Sequence, residues 1–205
     1  MQFFVLYVQS RIRSMLSEET FRIIDSALSD KEALLQNPLS QAPEEVIAQL
    51  TVLPVSYWSF DQKIHEGQIV VHKELVQNIE EVFRIMLAQK FPITSVIPIA
   101  HPRFHWDDDL SMDVDNTSAF NYRKVVEDSV HISYHAYGRA IDINPFLNPY
   151  IKNDIRKPES AIYDPREPGT ISADSFIVKF FKNKGWVWGG DFEHLKDYQH
   201  FEKHS

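Results

Sequence analysis

The sequence contains no cysteine, and this absence excludes disulfides, thiolate metal sites and cysteine nucleophiles together. Any bound metal must therefore be held by histidine nitrogen and carboxylate oxygen, for which nine histidines are available. The absence does not identify a compartment, because a chain without cysteine tolerates oxidising and reducing conditions equally well.

The chain also lacks a basic excess and a long apolar run. Its net charge of −8 argues against a nucleic-acid or anionic-membrane partner, since both require a basic face. The apolar run Phe3–Val8 is far shorter than the roughly 20 residues of a membrane span. No basic region precedes this run and no small-residue cleavage site follows it, so we predict a first strand or a packed terminal segment, and no membrane span. The oligomeric state stays open.

The texture of the sequence changes near residue 52. Residues 1–51 are charged and helical in pattern, with candidate helix starts at Ser17–Thr20 and Pro43–Glu45. We predict that residues 1–51 form a helical extension packed on a domain that comprises residues 52–205. The length of 205 residues suits one domain with such an extension.

We predict an α+β fold for this domain, with one small antiparallel sheet, helices packed on one side and a zinc site at the sheet edge. The acidic run Asp107–Asn116 lacks calcium-loop spacing, and we expect a solvated loop there. Five prolines between residues 145 and 169 indicate an irregular functional loop or lid. The remaining predicted elements are strands at Val55–Phe60 and Gln68–His72 flanking a turn at Gly67, a helix at Lys73–Lys90, strands at Ser95–Ile99, Ser118–Val125 and Gly138–Asn144, and a helix at Ser172–Lys184.

Two segments carry the residues best suited to metal chemistry. Asp142 sits among apolar neighbours in a predicted strand, where an ionised carboxylate must be paired or metal-bound. Gly138 follows His135 by three residues and allows the chain to turn back, so that His135 can approach Asp142. With His200, these residues form a two-histidine, one-carboxylate set that leaves a fourth zinc position open, as in catalytic sites.

Taken singly, each of these residues has a structural interpretation. A lone histidine near a turn is more often hydrogen-bonded than metal-bound, and Asp142 can pair with Arg139. Asp197 can simply begin a turn. The hypothesis therefore depends on the whole arrangement.

That arrangement resembles a known family. SYHAYGRAIDINP at residues 133–145, GWVWGGDF at 185–192, DYQHFE at 197–202 and TSAFNYR at 117–123 are similar to the zinc D-alanyl-D-alanine carboxypeptidase and L-alanyl-D-glutamate peptidase group, which shares its fold with the Hedgehog signalling domain. The resemblance extends over about Val52 to Glu202. Phe192 stands where relatives often carry tryptophan.

The resemblance implies a role for each matching residue. The zinc ligands are His135, Asp142 and His200, and the catalytic acid/base is Asp197. The remaining roles are oxyanion binding by Arg123, substrate contact by Ser133 and shaping of the pocket by Trp188. A substrate carboxylate would need a further cation, supplied by Arg139 or by an arginine between residues 145 and 169.

The implied function is a zinc peptidase of peptidoglycan stem peptides, acting as a carboxypeptidase or as an L/D endopeptidase. Such a substrate implies a periplasmic, extracellular or cell-wall location, although no clear signal peptide is present. Two alternatives remain: a non-catalytic zinc module of the same fold that recognises a peptide or protein, and a zinc hydrolase for another amide. Asp197 and Arg123 favour catalysis, because a binding module needs neither.

Overall fold

The computed structural model describes residues 22–124 and 131–204. They form a mixed α+β structure of short helices and small sheets, which confirms the predicted class. No helix in these two ranges is long and apolar enough to cross a membrane. The predictions made for Phe3–Val8, Ser17–Thr20 and Val125 lie outside the described residues.

Within the described residues, the β-structure is divided among four small sheets, so the prediction of a single antiparallel sheet is wrong. The sheets have the strand orders β1-β3-β2, β10-β7-β8, β6-β11-β9 and β4-β5. Their strands are β1 (Ile23–Ile24), β2 (Leu50–Trp58), β3 (Ile64–His72), β4 (Ser95–Val96), β5 (Asn116–Thr117), β6 (Ala140–Asp142), β7 (Tyr150–Lys152), β8 (Ile155–Lys157), β9 (Val187–Trp188), β10 (Lys196–Asp197) and β11 (His200–Glu202).

The helices are short apart from one. They are α1 (Asp30–Ala33), α2 (Glu44–Ile47), α3 (Val76–Ala88), α4 (Asp108–Asp113) and α5 (Phe176–Asn183), with 3-10 turns at Lys73–Leu75, Tyr134–Tyr137 and Gly189–Asp191. The predicted helices at Lys73–Lys90 and Ser172–Lys184 are confirmed in slightly shorter form as α3 and α5.

The long hairpin β2–β3 is the centre of the fold. Its turn lies at residues 59–63, and Gly67, predicted to be in the turn, pairs instead with Val55 inside β3. A Cβ atom at Gly67 would lie 2.1 Å from the carbonyl oxygen of Val96. Glycine is therefore present because β4 passes close to this strand, as is common for glycine within strands.

Both faces of this hairpin are covered, which corrects the prediction of helices on one side only. One face packs against the apolar stripe of α3, where Ile79, Val82 and Met86 are fully buried. The other face, with Leu50 and Val70, packs against a second apolar cluster from the preceding residues 22–49. Alternating strand residues point to opposite faces, so apolar side chains on both faces need two separate covers.

Residues 22–49 hold few regular elements. They contain β1, which pairs parallel with β3, and the single-turn helices α1 and α2. Asp25 accepts a hydrogen bond from the Tyr57 hydroxyl and contacts His65 Nδ1 at 2.7 Å. The predicted boundary after residue 51 falls inside β2, so this segment and the domain share one strand.

The acidic segment predicted as a loop forms a helix. Asp107 caps α4 by accepting a hydrogen bond from the backbone N–H of Leu110 at 3.0 Å. Asp108 and Asp109 then occupy the first turn, where negative charge interacts favourably with the helix dipole. The acidic triplet is thus a helix start.

Residues 118–124 are less regular than predicted, and residues 145–169 are more regular than predicted. Residues 118–124 form an extended connector whose only β-pairs within the described chain are bridges from Ser118 to Asp142 and from Lys124 to Ile132. The proline-rich stretch at 145–169 contains the antiparallel hairpin β7–β8, to which β10 adds a third strand. Both segments run beside the site described below.

Gly138 anchors the turn that carries His135. Its φ is +62°, as expected for a residue that reverses the chain, and its carbonyl oxygen accepts the His72 N–H at 2.9 Å. A Cβ here would lie 2.6 Å from Leu50 Cδ2 and 2.7 Å from the backbone nitrogen of His72. The turn can therefore lie against the hairpin only if residue 138 has no side chain.

We expect Gly138→Ala to destabilise the protein by more than the backbone strain alone, which is about 1–2 kcal/mol for a left-handed residue. The matched control is Gly185→Ala, whose φ is +76° but whose Cβ would meet nothing closer than Lys203 Nζ at 3.6 Å. Chemical denaturation of the two variants measures the difference. Equal losses would show that the contact with the hairpin costs nothing.

Candidate metal centre

Three side chains meet at one point in the interior. His135 Nε2 lies 3.1 Å from His200 Nδ1 and 3.2 Å from Asp142 Oδ1, and His200 Nδ1 lies 2.9 Å from the same Asp142 oxygen. The three residues are buried: the exposed fraction is 3% for His135, 6% for Asp142 and 7% for His200. Within the described residues, they are the group of histidines and carboxylates able to hold a metal ion.

Strand pairing brings these residues together from distant parts of the chain. Asp142 in β6 and His200 in β11 are directly opposite each other in an antiparallel pair. Side chains at such positions share a face and lie close together. His135 comes from the 3-10 turn at Tyr134–Tyr137, whose first residue is preceded by the capping side chain of Ser133.

The outer nitrogen of each histidine has its own acceptor. His135 Nδ1 lies 2.5 Å from the carbonyl oxygen of Ala119, and His200 Nε2 lies 3.0 Å from Glu202 Oε2. These acceptors favour the proton on the outer nitrogen, so that the two inner nitrogens present lone pairs. Two lone pairs and a carboxylate oxygen converge, and this arrangement fits a cation bound between them.

The electrostatics of the cluster lead to the same conclusion. Burial opposes charge on Asp142, but its contacts with His135 and His200 hold the pKa of this carboxyl well below its usual range. Burial likewise opposes charge on His200, yet hydrogen bonds to Asp142 and Glu202 raise its pKa to about 10. The cluster thus attracts positive charge strongly.

Asp197 lies beside this cluster with an unused acceptor atom. Its Oδ1 is closed off from solvent and has no hydrogen-bond partner among the described residues. Burial raises the pKa of this carboxyl to about 6. An unpaired buried carboxylate oxygen is costly unless a water, an ion or a ligand satisfies it. Asp197 lines the same cavity as the three candidate ligands.

Glycine allows Asp197 to approach. A Cβ on Gly189 would lie 2.4 Å from the carbonyl oxygen of Asp197 and 2.7 Å from its Cβ. Trp188, predicted to help shape the pocket, is 2% exposed and does not line the cavity. Its indole nitrogen donates to the carbonyl oxygen of Tyr198 at 2.9 Å and so supports the residue that follows Asp197.

Arg123 lines the cavity from the extended connector. Its guanidinium is 2.9 Å from Asp108 Oδ2, while its buried Nε has no partner among the described residues. The carbonyl oxygen of Arg123 accepts the Ser133 N–H at 3.1 Å, which ties the connector to the His135 turn. Ser133 also lines the cavity, and its hydroxyl accepts the backbone N–H of His135 at 3.2 Å.

The cavity has a volume of about 870 Å³ and contains all the predicted site residues except Trp188. Its further lining residues include Tyr150, Lys152, Lys157 and Glu202, for which the sequence interpretation assigned no role. The histidine–any–glutamate spacing of DYQHFE was the available signal for Glu202, because alternate strand residues share a face.

The arginines expected to bind a substrate carboxylate lie elsewhere. Arg139 pairs with Glu74 at 3.0 Å, Arg156 donates to the carbonyl oxygen of Ala161, and Arg166 pairs with Asp164. None of the three lines the cavity. The structure therefore places none of the arginines predicted for this role in the cavity.

Comparison with known proteins agrees with this geometry. Residues 127–203 match the model of a peptidase family described as D-alanyl-D-alanine carboxypeptidase. The matched segment is less than half of the chain and contains the three candidate ligands and Asp197, whereas Arg123 precedes it. The family resemblance predicted from the motifs is confirmed over this segment, and it supports a peptidase. Searches of curated proteins and of solved structures found no match.

Removing the acceptor behind His200 should weaken metal binding. We expect Glu202→Gln to lower metal affinity by about 10- to 100-fold, because a carboxylate orients the ring and raises its basicity. Titration with zinc, followed by elemental analysis of the dialysed protein, measures this effect. Glu81→Gln is the matched control, since Glu81 pairs with Lys184 outside the cavity.

His135→Ala should lose nearly all bound metal, and full occupancy in that variant would contradict the ligand assignment.

Proposed function

We propose that this chain is a zinc-dependent peptidase of the Hedgehog/DD-peptidase fold that hydrolyses stem peptides of peptidoglycan. The bond cleaved is a terminal D-Ala–D-Ala bond or an internal L-Ala–D-Glu bond. The family match supports a peptidase, and the donor set supports zinc. Two histidine nitrogens and one carboxylate oxygen, with a cavity on the open side, are typical of catalytic zinc sites.

The observation that carries the proposal is the unpaired, buried Oδ1 of Asp197 next to the three-ligand cluster. Zinc bound there would act as a Lewis acid and make water nucleophilic near neutral pH. Asp197 accepts a proton from the attacking water and then donates it to the leaving amine. A carboxyl in this position is suited to both steps, because burial raises its pKa towards neutrality while a cation bound beside it favours its ionised form.

Arg123 provides the second catalytic group. Its guanidinium borders the cavity and retains an unpaired N–H at Nε. We assign it to the developing negative charge on the scissile carbonyl oxygen, where one oriented donor contributes about 3 kcal/mol. Ser133 borders the same cavity and is proposed to contact the substrate.

The non-catalytic binding module is the competing proposal. It would use the same cavity but would need neither a proton-transfer group nor an oxyanion donor. Asp197 and Arg123 both line the cavity, and they therefore favour catalysis over binding alone. Stem peptides are outside the cytoplasm, and we therefore propose a periplasmic, extracellular or cell-wall site of action.

We expect Asp197→Asn to retain metal and fold but to lose hydrolysis of stem peptides by about 10²- to 10⁴-fold. Asparagine has nearly the same shape, but it cannot accept a proton at neutral pH. Mass spectrometry of purified muropeptides before and after incubation measures the loss and identifies the bond cleaved.

Asp191→Asn is the control for this variant. Asp191 is in the neighbouring 3-10 turn, pairs with Lys182 at 2.6 Å and does not line the cavity. Its replacement removes the same charge and should leave turnover unchanged. Wild-type rates in metal-loaded Asp197→Asn would exclude Asp197 as the base. Binding without cleavage by the wild type would favour the recognition module.

Arg123→Ala should lower kcat/KM by about 100-fold while leaving metal content and melting temperature nearly unchanged, because it removes an oxyanion donor. Asp108→Asn separates this role from a structural one, since it removes the partner of Arg123 but keeps the guanidinium. We expect a much smaller loss from Asp108→Asn. Equal losses in the two variants would show that the ion pair, rather than the guanidinium, matters.

A further inference from the structure

The sheet that carries Asp197 also carries two lysines. In the strand order β10-β7-β8, Asp197 is directly opposite Tyr150, and Tyr150 is directly opposite Lys157. Lys152 follows Tyr150 by two residues on the same strand. Directly opposed residues and residues two apart share one face of a sheet, so these four side chains lie on one face.

All four side chains line the cavity of the metal centre. Neighbouring strands are about 4.8 Å apart, which places the backbone of Lys157 about 10 Å from that of Asp197. An extended peptide advances about 3.4 Å per residue. A substrate cleaved beside Asp197 would therefore place a group one or two residues from the scissile bond within reach of these long side chains.

Lys157 has a partner that a substrate can replace. Its Nζ lies 2.9 Å from Asp109 Oδ1, but the Asp109 side chain is 65% exposed. Exposed ion pairs contribute little to stability, so exchanging one carboxylate for another costs little. Asp109 does not itself line the cavity, so a substrate carboxylate inside the cavity would compete with it for Lys157.

Cations are scarce in this cavity. Among the described residues that line it, the arginine and lysine side chains are Arg123, Lys152 and Lys157. Arg123 is assigned to the oxyanion and already pairs with Asp108. Because the chain has a net charge of −8, an anionic substrate needs a local positive site in order to bind.

We propose that Lys152 and Lys157 form a carboxylate subsite that selects peptides with a free carboxylate one or two residues from the scissile bond. This proposal rests on the peptidase function proposed above. Two sources supply such a group: the C-terminus of a D-Ala–D-Ala peptide, and the free carboxylate of the glutamate in an L-Ala–D-Glu peptide. Both present the same planar anion to the two ammonium groups.

The test compares two matched peptide pairs. One pair ends in D-Ala–D-Ala with a free or amidated C-terminus, and the other contains L-Ala–D-Glu with its carboxylates free or amidated. We expect the wild type to cleave the free acid of one pair with a kcat/KM at least about tenfold above its amide, mainly through KM. The pair that responds identifies the source of the carboxylate.

The variant Lys152→Gln/Lys157→Gln should lose this preference and cleave the acid as slowly as the wild type cleaves the amide. Lys63→Gln is the control, because Lys63 also pairs with an aspartate, Asp61, but lies outside the cavity. It should keep the preference. Metal content and melting temperature are measured for each variant. If the double variant does not fold, the single variants Lys152→Gln and Lys157→Gln and the variant Lys157→Arg replace it. The two glutamine variants should lose the preference for the free acid, and Lys157→Arg should keep it.

Equal cleavage of acid and amide by the wild type, or a preserved preference in the folded lysine variants, would overturn the subsite. If the wild type cleaves none of the peptides, the peptidase proposal fails separately. Calorimetric binding of the same four peptides then decides the subsite: tighter binding of an acid that depends on the lysines supports it, and equal binding of acid and amide overturns it.

Discussion

Repulsion among three buried electron-pair donors is the constraint around which this protein is organised. His135, Asp142 and His200 bring their donor atoms within 3.2 Å of one another, and each of these residues is at most 7% exposed. A proton on His200 or a bound cation offsets the repulsion among these atoms, and the cluster keeps its shape only if each histidine ring is held at its outer nitrogen. The carbonyl oxygen of Ala119 and the carboxylate of Glu202 do so for the two histidines.

The surrounding fold can be understood as the set of restraints that this cluster requires. Pairing of β6 with β11 sets Asp142 opposite His200, and Gly138 lets the His135 turn lie against the hairpin β2–β3. The connector at residues 118–124 supplies both the acceptor for His135 and the guanidinium of Arg123. A third sheet supplies Asp197. Residues 118–124, 134–142 and 196–202 therefore meet at one cavity.

The ligands could be predicted from the sequence because their chemistry is restrictive. A cysteine-free chain leaves histidine and carboxylate as ligands, and a carboxylate inside an apolar strand demands a partner. The helix α3 could also be predicted, because its apolar residues recur at helical spacing along one face. The sequence predicts Gly67 in a turn, but Gly67 lies in β3. Glycine occurs both in turns and where a neighbouring strand passes close by, and the sequence alone does not distinguish these two cases. The composition of Asp107–Asp109 predicts a solvated loop, but Asp107 caps a helix that begins at Asp108.

Other features depend on contacts between distant segments and leave no local pattern. Arg139 pairs with Glu74 from a distant segment, and only the tertiary structure shows that Arg139, Arg156 and Arg166 all lie outside the cavity. Trp188 is predicted to shape the pocket but does not line the cavity, and its indole nitrogen contacts the carbonyl oxygen of Tyr198 beneath it. The lysines of β7 and β8 fall in a proline-rich stretch whose strands are only three residues long.

The double cover of the hairpin β2–β3 has a practical consequence for anyone who prepares shorter forms of this protein. Val70 packs against apolar residues of the segment 22–49, none of which lines the cavity of the candidate metal centre. A fragment that starts at residue 52 would keep the residues of the cavity, but it would lack β1 and the first two residues of β2, and it would expose the apolar side chain of Val70 beside the β3 edge that β1 covers. Its failure would take the form of self-association and precipitation, which is easily mistaken for a loss of catalytic competence.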